Sequence, residues 1–369
     1  MATGRVTICI GDIHGHVEKL ERLWRNLELR LGAEEFGGCT VIFLGDYNDR
    51  GHQPRGVIDF LISLRKAYPQ QKQVFLCGNH DFAFMACLGI LPRPPAGFSY
   101  SSTWTKYLQN EKMEGWWQGE GQDDIHLQGR RWAGNIGIRM NPAKGILYKG
   151  STYDAAVTFE SYGVAHGDRA GLIAAVPEHH KQFLRNLSWV HEEDGAGETG
   201  DPATSYSRII AVHAGLESTK SVEDQLRPLL EKDSTIARLE PLYGRKNVLK
   251  IPQELADERV MLVSGHHGCL ILDGLRLIID EGGGMPNNPI AAVILPSRII
   301  VRDTDAPISP APTISSSVTP ALVPQLFESK DTNLLQKMSM RSNWILSPLR
   351  AQADTLEDFS DEEKLCLVL

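Results

Sequence analysis

No two of the six cysteines form a CxxC pair, and none belongs to a regular Cys framework. Scattered cysteines of this kind are expected to be small buried hydrophobes of a reducing compartment. Cys9, Cys39 and Cys77 lie in or beside apolar, strand-like runs, as that reading requires. A long basic run is also missing, and the net charge is -8. That excludes a broad nucleic-acid-binding surface but leaves room for a small basic pocket for a phosphate. The opening "MATGRVTICIGD" turns polar by residue 11. This is too early for a secretory core and too short to span a membrane, so a cytoplasmic or nuclear protein is expected. No internal repeat is present. What the chain does have is 369 residues, 42% of them hydrophobic, enough for a sizeable core in one large domain or two ordinary ones.

Strand-like and helix-like segments alternate in the first part. "RVTICI", "TVIFL" and "QVFLC" read as strands. "VEKLERLWRNLELRL" places Val17, Leu20, Leu23, Trp24, Leu27 and Leu31 on one helical face. "PRGVIDFLISLRKA" reads as a helix with Pro54 in its first turn, and "FAFMACLGIL" as a short apolar one. This alternation predicts an α/β fold with a partly parallel sheet. Residues 92–165 break the rhythm with "PRPP", "EGWWQGEGQ" and "GRRWAGNIG" and read as a long insertion. Strands return from 208, in "RIIAV" and "VMLVS", followed by hairpins turning at Asp273–Gly274 and Pro296–Ser297. A catalytic domain is therefore placed at 1–304. Residues 305–369, which begin with a Pro/Ser/Thr-rich stretch, are expected to form a mostly disordered tail.

Five apolar runs end in chemically active residues. "ICIGDIHG" supplies Asp12 and His14; "FLGDYNDRG" supplies Asp46, Asp49 and Arg50; "FLCGNHD" supplies Asn79 and His80. "IIAVHAG" and "LVSGHHG" supply His213 and His266. In an α/β sheet the loops at the carboxyl ends of strands line one edge, so these residues converge there. Carboxylate, imidazole and amide oxygen suit divalent Mn, Fe or Zn. Two such ions, bridged by Asp46, would activate water at neutral pH and polarise a bound phosphate. Asp12 and His14 would complete one site, and Asn79, His213 and His266 the other.

These motifs resemble the calcineurin-like metallophosphoesterases, and within them the PPP phosphoprotein phosphatases. The resemblance covers residues 5 to about 304. It implies a β-sandwich flanked by helices with a dinuclear metal site at its edge. It also implies that His80 protonates the leaving oxygen, that Asp49 orients His80, and that Arg50 holds phosphate oxygens with its planar fork. Arg245, in "YGRKNVLKIP", is the candidate second phosphate ligand. Asn48, Asp81 and the lack of a late "SAPNY" segment depart from the usual eukaryotic Ser/Thr members. "GRRWAG", "YKGSTYDA", "SGHHG" and "LIIDEGGG" are similar to the plant Rhizobiales-like branch, which implies a preference for phosphotyrosine. A Ser/Thr phosphatase and a dinucleoside polyphosphate hydrolase are the alternatives; a binding module that has lost catalysis is disfavoured by the full ligand set.

The insertion is a candidate wall for a tyrosine-selective site, with Trp116, Trp117 and Trp132 as possible surfaces. Arg130 and Arg131 could bind a second substrate phosphate, as on a doubly phosphorylated kinase activation loop. The terminal "CLVL" fits a prenylation box at Cys366, the one route to membrane contact. The preceding acidic stretch opposes such anchoring. His267 is expected beside a ligand, and His16, His52 and His126 are given no role.

Overall fold

The computed structural model describes residues 6–136, 140–141, 146–197 and 203–306. The expected tail, Cys366 included, lies outside the described residues apart from 305 and 306. Strands β1 (Thr7–Ile10), β2 (Thr40–Phe43) and β3 (Lys72–Phe75) pair in parallel, as the strand–helix alternation predicts. A two-stranded ribbon, β4 (Met140–Asn141) and β5 (Ile146–Leu147), stands within the insertion. Then come β6 (His191–Gly197), β7 (Tyr206–Ala211), β8 (Val260–Ser264), β9 (Leu270–Asp273), β10 (Arg276–Ile279), β11 (Ala291–Leu295) and β12 (Ile299–Arg302). They make two mixed five-stranded sheets, β12-β11-β1-β2-β3 and β6-β7-β8-β10-β9. Both expected hairpins form, as β9–β10 and β11–β12.

Strand alternation sorts the core into two layers. Cys9, Ile42, Val74 and Val293 from the first sheet meet Ile209, Met261, Val263 and Leu277 of the second between the sheets. Ile8, Ile10, Val41 and Phe43 point the other way, into a larger core shared with the helices. The helix Val17–Leu31 buries Val17, Leu20, Leu23, Trp24 and Leu27, the face its spacing predicts, and Leu31 packs at the margin. The helix Pro54–Ala67 buries Val57, Ile58, Leu61 and Leu64. This is the two-sheet, helix-flanked α/β arrangement that the sequence resemblance implies. Cys9, Cys39, Cys77 and Cys87 are buried within these layers.

The insertion is less separate than its composition suggests. Its helix Leu127–Ala133 lies against the helix Asn79–Leu88, and a Cβ at Gly129 would collide with the backbone at Ala86 and Cys87. Trp132, Tyr153 and Phe159 belong to the main hydrophobic core. A glycine here lets two helices approach closely enough to bury those rings.

Trp24 anchors the outer layer. Its ring lies 4.9 Å from Phe36, 5.4 Å from Tyr68 and 6.0 Å from Phe43. Trp24→Ala is expected to lower unfolding stability by about 3–5 kcal/mol, measured by urea denaturation, because the aromatic cluster is too rigid to close the cavity.

Candidate metal centre

The loops after β1, β2, β3, β7 and β8 bring Asp12, His14, Asp46, Asn79, His213 and His266 together, all of them buried. Asp46 stands in the middle. Its Oδ1 is 3.4 Å from His213 Nε2 and accepts the His80 N–H at 3.0 Å. Its Oδ2 is 3.7 Å from His14 Nε2 and 3.9 Å from His80 Nε2. Asn79 Oδ1 lies 3.1 Å from His213 Nε2, and Asp12 Oδ1 accepts the His266 N–H at 3.0 Å.

Backbone carbonyls fix the imidazoles. His14 Nδ1 donates to Asn48 O at 2.9 Å and His213 Nδ1 to Leu44 O at 2.7 Å, which turns each Nε2 toward Asp46. A second-sphere bond of this kind sets tautomer and ring orientation at metal sites. The neighbouring His267 Nε2 donates to Ala214 O at 2.7 Å, so it braces the His213 loop and takes no place in the cluster.

Three features of this cluster call for cations. His266 Nε2 is buried with no hydrogen-bond partner. Burial and the Arg245 charge hold His266 well below the ordinary imidazole pKa, and burial with Arg50 does the same for His14, so both rings are neutral donors. Burial and the charge of Asp280 push Asp12 well above the usual carboxylate range. Two carboxyl groups, an amide oxygen and three imidazoles form a donor set that fits divalent transition ions. The residues present therefore fit the implied metal.

Backbone geometry is tuned to the same end. Among the described residues, nine non-glycine residues have positive φ, and five of them are His14, Asp46, Asp49, Arg50 and His266. Such conformations cost about 1–3 kcal/mol each and persist only where the surroundings over-determine them. Asp81 supplies much of that support. Its Oδ2 accepts N–H bonds from Asp46 at 2.7 Å and Gly78 at 2.9 Å, and its Oδ1 accepts from Tyr47 at 2.9 Å. Burial and the nearby Asp46 charge raise the Asp81 pKa to about 7. A Cβ at Gly78 would collide with Asp46 Oδ1, so this turn can approach the carboxylate only as glycine. Asp280, in "LIIDEGGG", plays a similar part by accepting the N–H groups of Gly268 at 2.6 Å and Gly282 at 2.8 Å.

The expected acid dyad is assembled. His80 Nδ1 lies 2.7 Å from Asp49 Oδ2. Arg50 Nη1 donates to His14 Nε2 at 2.8 Å, and its Nη2 to His80 Nε2 at 3.2 Å. Arg245 lies beside the cluster, donating to His266 O at 2.6 Å. Sequence reasoning missed the other two partners of Asp49. Trp132 Nε1 donates to its Oδ2 at 2.8 Å, and Thr158 Oγ1 to its Oδ1 at 2.6 Å. Both come from the insertion, about a hundred residues away, and only their presence in "GRRWAG" and near "YKGSTYDA" hinted at them.

Several expectations for the insertion are corrected. Trp132 is no wall: it is wholly buried, stacked on Phe84 and Phe159. Trp116 is buried, and Trp117 donates to Gly167 O from a half-buried position. Arg130 is buried, paired with Glu111 at 2.6 Å and placed over the rings of Trp104 and Trp116. Arg131 forms two bonds to Glu114, at 2.6 and 3.0 Å. Both guanidiniums are thus committed to internal carboxylates, which leaves neither free for a second substrate phosphate. Tyr153 instead borders the site, its ring 5.0 Å from that of His80. Lys149 joins it there, with Nζ donating to Arg50 O at 3.0 Å. His16 Nε2 bonds the carbonyl of Gly284, while His126 Nε2 bonds that of Ile236 and its Nδ1 accepts the Gln128 N–H.

Parts of the chain are similar to known proteins. Residues 6–130 match the family model for calcineurin-like phosphoesterases. An uncharacterized protein of Caenorhabditis elegans is 35% identical over 107 residues, which take in 26% of this chain and 41% of that one. The chain thus spans about two fifths of that relative's length. Among solved structures, a protein assigned as a diadenosine tetraphosphatase is 16% identical, with a TM-score of 0.39 over 82% of this chain and 94% of that one. A cold-active protein-tyrosine phosphatase of a Shewanella psychrophile is 13% identical, with a TM-score of 0.39 over 81% and 80%. The segment with "GDIHG", "GDYNDRG" and "GNHD" lies within the residues that match the calcineurin-like phosphoesterase model.

Proposed function

We propose that the protein is a metal-dependent phosphatase that removes phosphate from tyrosine in protein substrates. The observation that carries the hydrolase reading is the buried Asp46 cluster with the Arg50 fork and the Asp49–His80 pair at its rim. Asp12, His14 and Asp46 would hold one divalent ion, and Asp46, Asn79, His213 and His266 a second, of Mn, Fe or Zn character. Such ions would supply the Lewis acidity that lowers the pKa of a water and offsets phosphate charge.

The chain's own residues do the rest. Arg50 is positioned to orient two phosphate oxygens, with Arg245 on the other side. In the structure the two Nη groups of Arg50 donate to the lone pairs of His14 and His80, while its buried Nε has no partner. An arriving phosphate would take over these donors and free His80 Nε2. With Asp49 accepting from Nδ1, His80 can then carry a proton on Nε2. It gives that proton to the leaving oxygen as the P–O bond breaks. Trp132 and Thr158 hold the Asp49 carboxylate so that its lone pair stays on His80.

The preference for tyrosine is supported by the sequence resemblance to the Rhizobiales-like branch, and by the insertion residues Tyr153 and Lys149 at the rim. A side chain must be long to carry its phosphorus past such a rim. A kinase activation loop is a fitting substrate, with its phosphotyrosine in the site.

Three outcomes are expected. Asp46→Asn should abolish turnover and lower bound metal, because one carboxylate serves both ions; elemental analysis of the purified variant with two tight ions and near-normal turnover would reject the dinuclear assignment. In a panel of phosphotyrosine, phosphoserine and phosphothreonine peptides and a dinucleoside polyphosphate, only the tyrosine peptides should be hydrolysed rapidly; equal rates on serine and tyrosine peptides would leave a phosphatase without this selectivity. Trp132→Phe keeps the stacking but removes one donor to Asp49, worth about 1–1.5 kcal/mol to its alignment. Turnover on phenyl phosphate should fall by about tenfold, and less on nitrophenyl phosphate, whose leaving group needs little protonation. Equal losses on both would make Trp132 a packing residue only.

A further inference from the structure

A second constellation lies outside the catalytic cluster, where the helix Pro54–Ala67 meets the helix Glu178–Arg185. Asp59, His179 and His180 each turn one donor atom to the same spot, and the three atoms lie within 4.8 Å of one another. His180 Nε2 is 2.7 Å from Asp59 Oδ1, and His179 Nε2 is 3.8 Å from the same oxygen. From this convergence we propose a zinc-type metal site that ties the two helices together, with Asp59, His179 and His180 as ligands.

The donor chemistry selects the ion. Two imidazoles and one carboxylate form a three-ligand set suited to Zn²⁺, whereas Mg²⁺ and Ca²⁺ favour all-oxygen cages. In a tetrahedral site with bonds of about 2.0–2.1 Å, ligand atoms stand about 3.3 Å apart. The observed 2.7 and 3.8 Å bracket that spacing, so small side-chain rotations suffice. At 3.8 Å, His179 is too far from Asp59 for a hydrogen bond, and a central ion would engage both.

Orientation is built in from beneath. His180 is fully buried, and its Nδ1 is 2.9 Å from the hydroxyl of the buried Tyr162. That bond fixes the ring with Nε2 toward Asp59, as supporting bonds do for metal-bound histidines. Burial lowers the His180 pKa and favours the neutral ring that a ligand must present. His179 is 61% and Asp59 50% exposed on their side chains, so an ion and a fourth, water ligand can reach the spot from solvent. The other charge at hand is Arg55, whose Nε stands 3.9 Å from Asp59 Oδ2, the oxygen not used by the histidines.

The site is independent of the proposed hydrolase reading, and a difference measurement isolates it. Full-length wild-type and His179→Ala proteins are equilibrated with Zn²⁺ buffered at micromolar free concentration in the presence of excess Mg²⁺, and bound zinc is counted per chain. Zinc taken by the Asp46 cluster is common to both and cancels. The variant is expected to hold one equivalent less, and Asp59→Asn likewise, while zinc-free melting temperatures match. Zinc should also raise the wild-type melting temperature more than that of either variant. Equal zinc content in wild type and variants would overturn the proposal, whether or not the protein is a phosphatase.

Discussion

The burial of the Asp46 carboxylate is the constraint on which the site depends. A carboxylate removed from water is tolerated only with several compensating partners. Burial opposes its charge, yet His213, His80 and His14 hold its pKa well below the usual range. In the same field His213, though buried, is pushed up to about 9, mainly by Asp46. Every strand-end loop at this edge either touches Asp46 or fixes a residue that does. The parallel pairing of β1, β2 and β3 brings three of these loops side by side, and the second sheet contributes His213 and His266 from across the sandwich.

The insertion is part of this machinery. Its tryptophan and threonine complete the set of donors around Asp49, while its own arginines are consumed by Glu111 and Glu114. A buried carboxylate that accepts bonds from an imidazole, an indole and a hydroxyl has little freedom to reorient. The same Trp132 ring is sandwiched between Phe84 and Phe159. Hydrophobic packing of the insertion and alignment of the Asp49–His80 pair are therefore one structural fact, which explains why composition marked this stretch as foreign while the folded chain does not separate it.

Much of the core and of the site was legible because its signals are local. Val17 to Leu27 repeat at helical spacing, β1 alternates between layers, and each residue of the Asp46 cluster follows an apolar run within a few residues. The unread features depend on long-range pairing. β6 is the acidic, glycine-containing "HEEDGAG", which carries no apolar alternation; its ladder with β7 holds it in the sheet. The three acceptor bonds of Asp81 were invisible because Asp in place of Glu looked neutral for the ligands. Trp132 was one of three possible wall surfaces because a Trp amid Gly and Arg has no periodicity to reveal which way it faces. Asp59 and the His179–His180 pair meet only when two helices pack.

The left-handed backbone at His14, Asp46, Asp49, Arg50 and His266 gives the last link between stability and chemistry. Glycine at these positions would relieve the strain, but it would delete the side chains proposed to hold metal or phosphate. The chain instead places glycine beside them, at Gly45, Gly51, Gly78 and Gly265, where close approach of two backbones or of a carboxylate is needed. The chemically active side chains therefore occupy the strained positions, and their neighbours supply the space. Strain of this size is affordable only on a rigid frame, and two sheets with cores on both faces provide one. Substitutions that loosen the frame, even far from Asp46, should reach the site first through these five residues, since they have the least conformational preference for the geometry they hold.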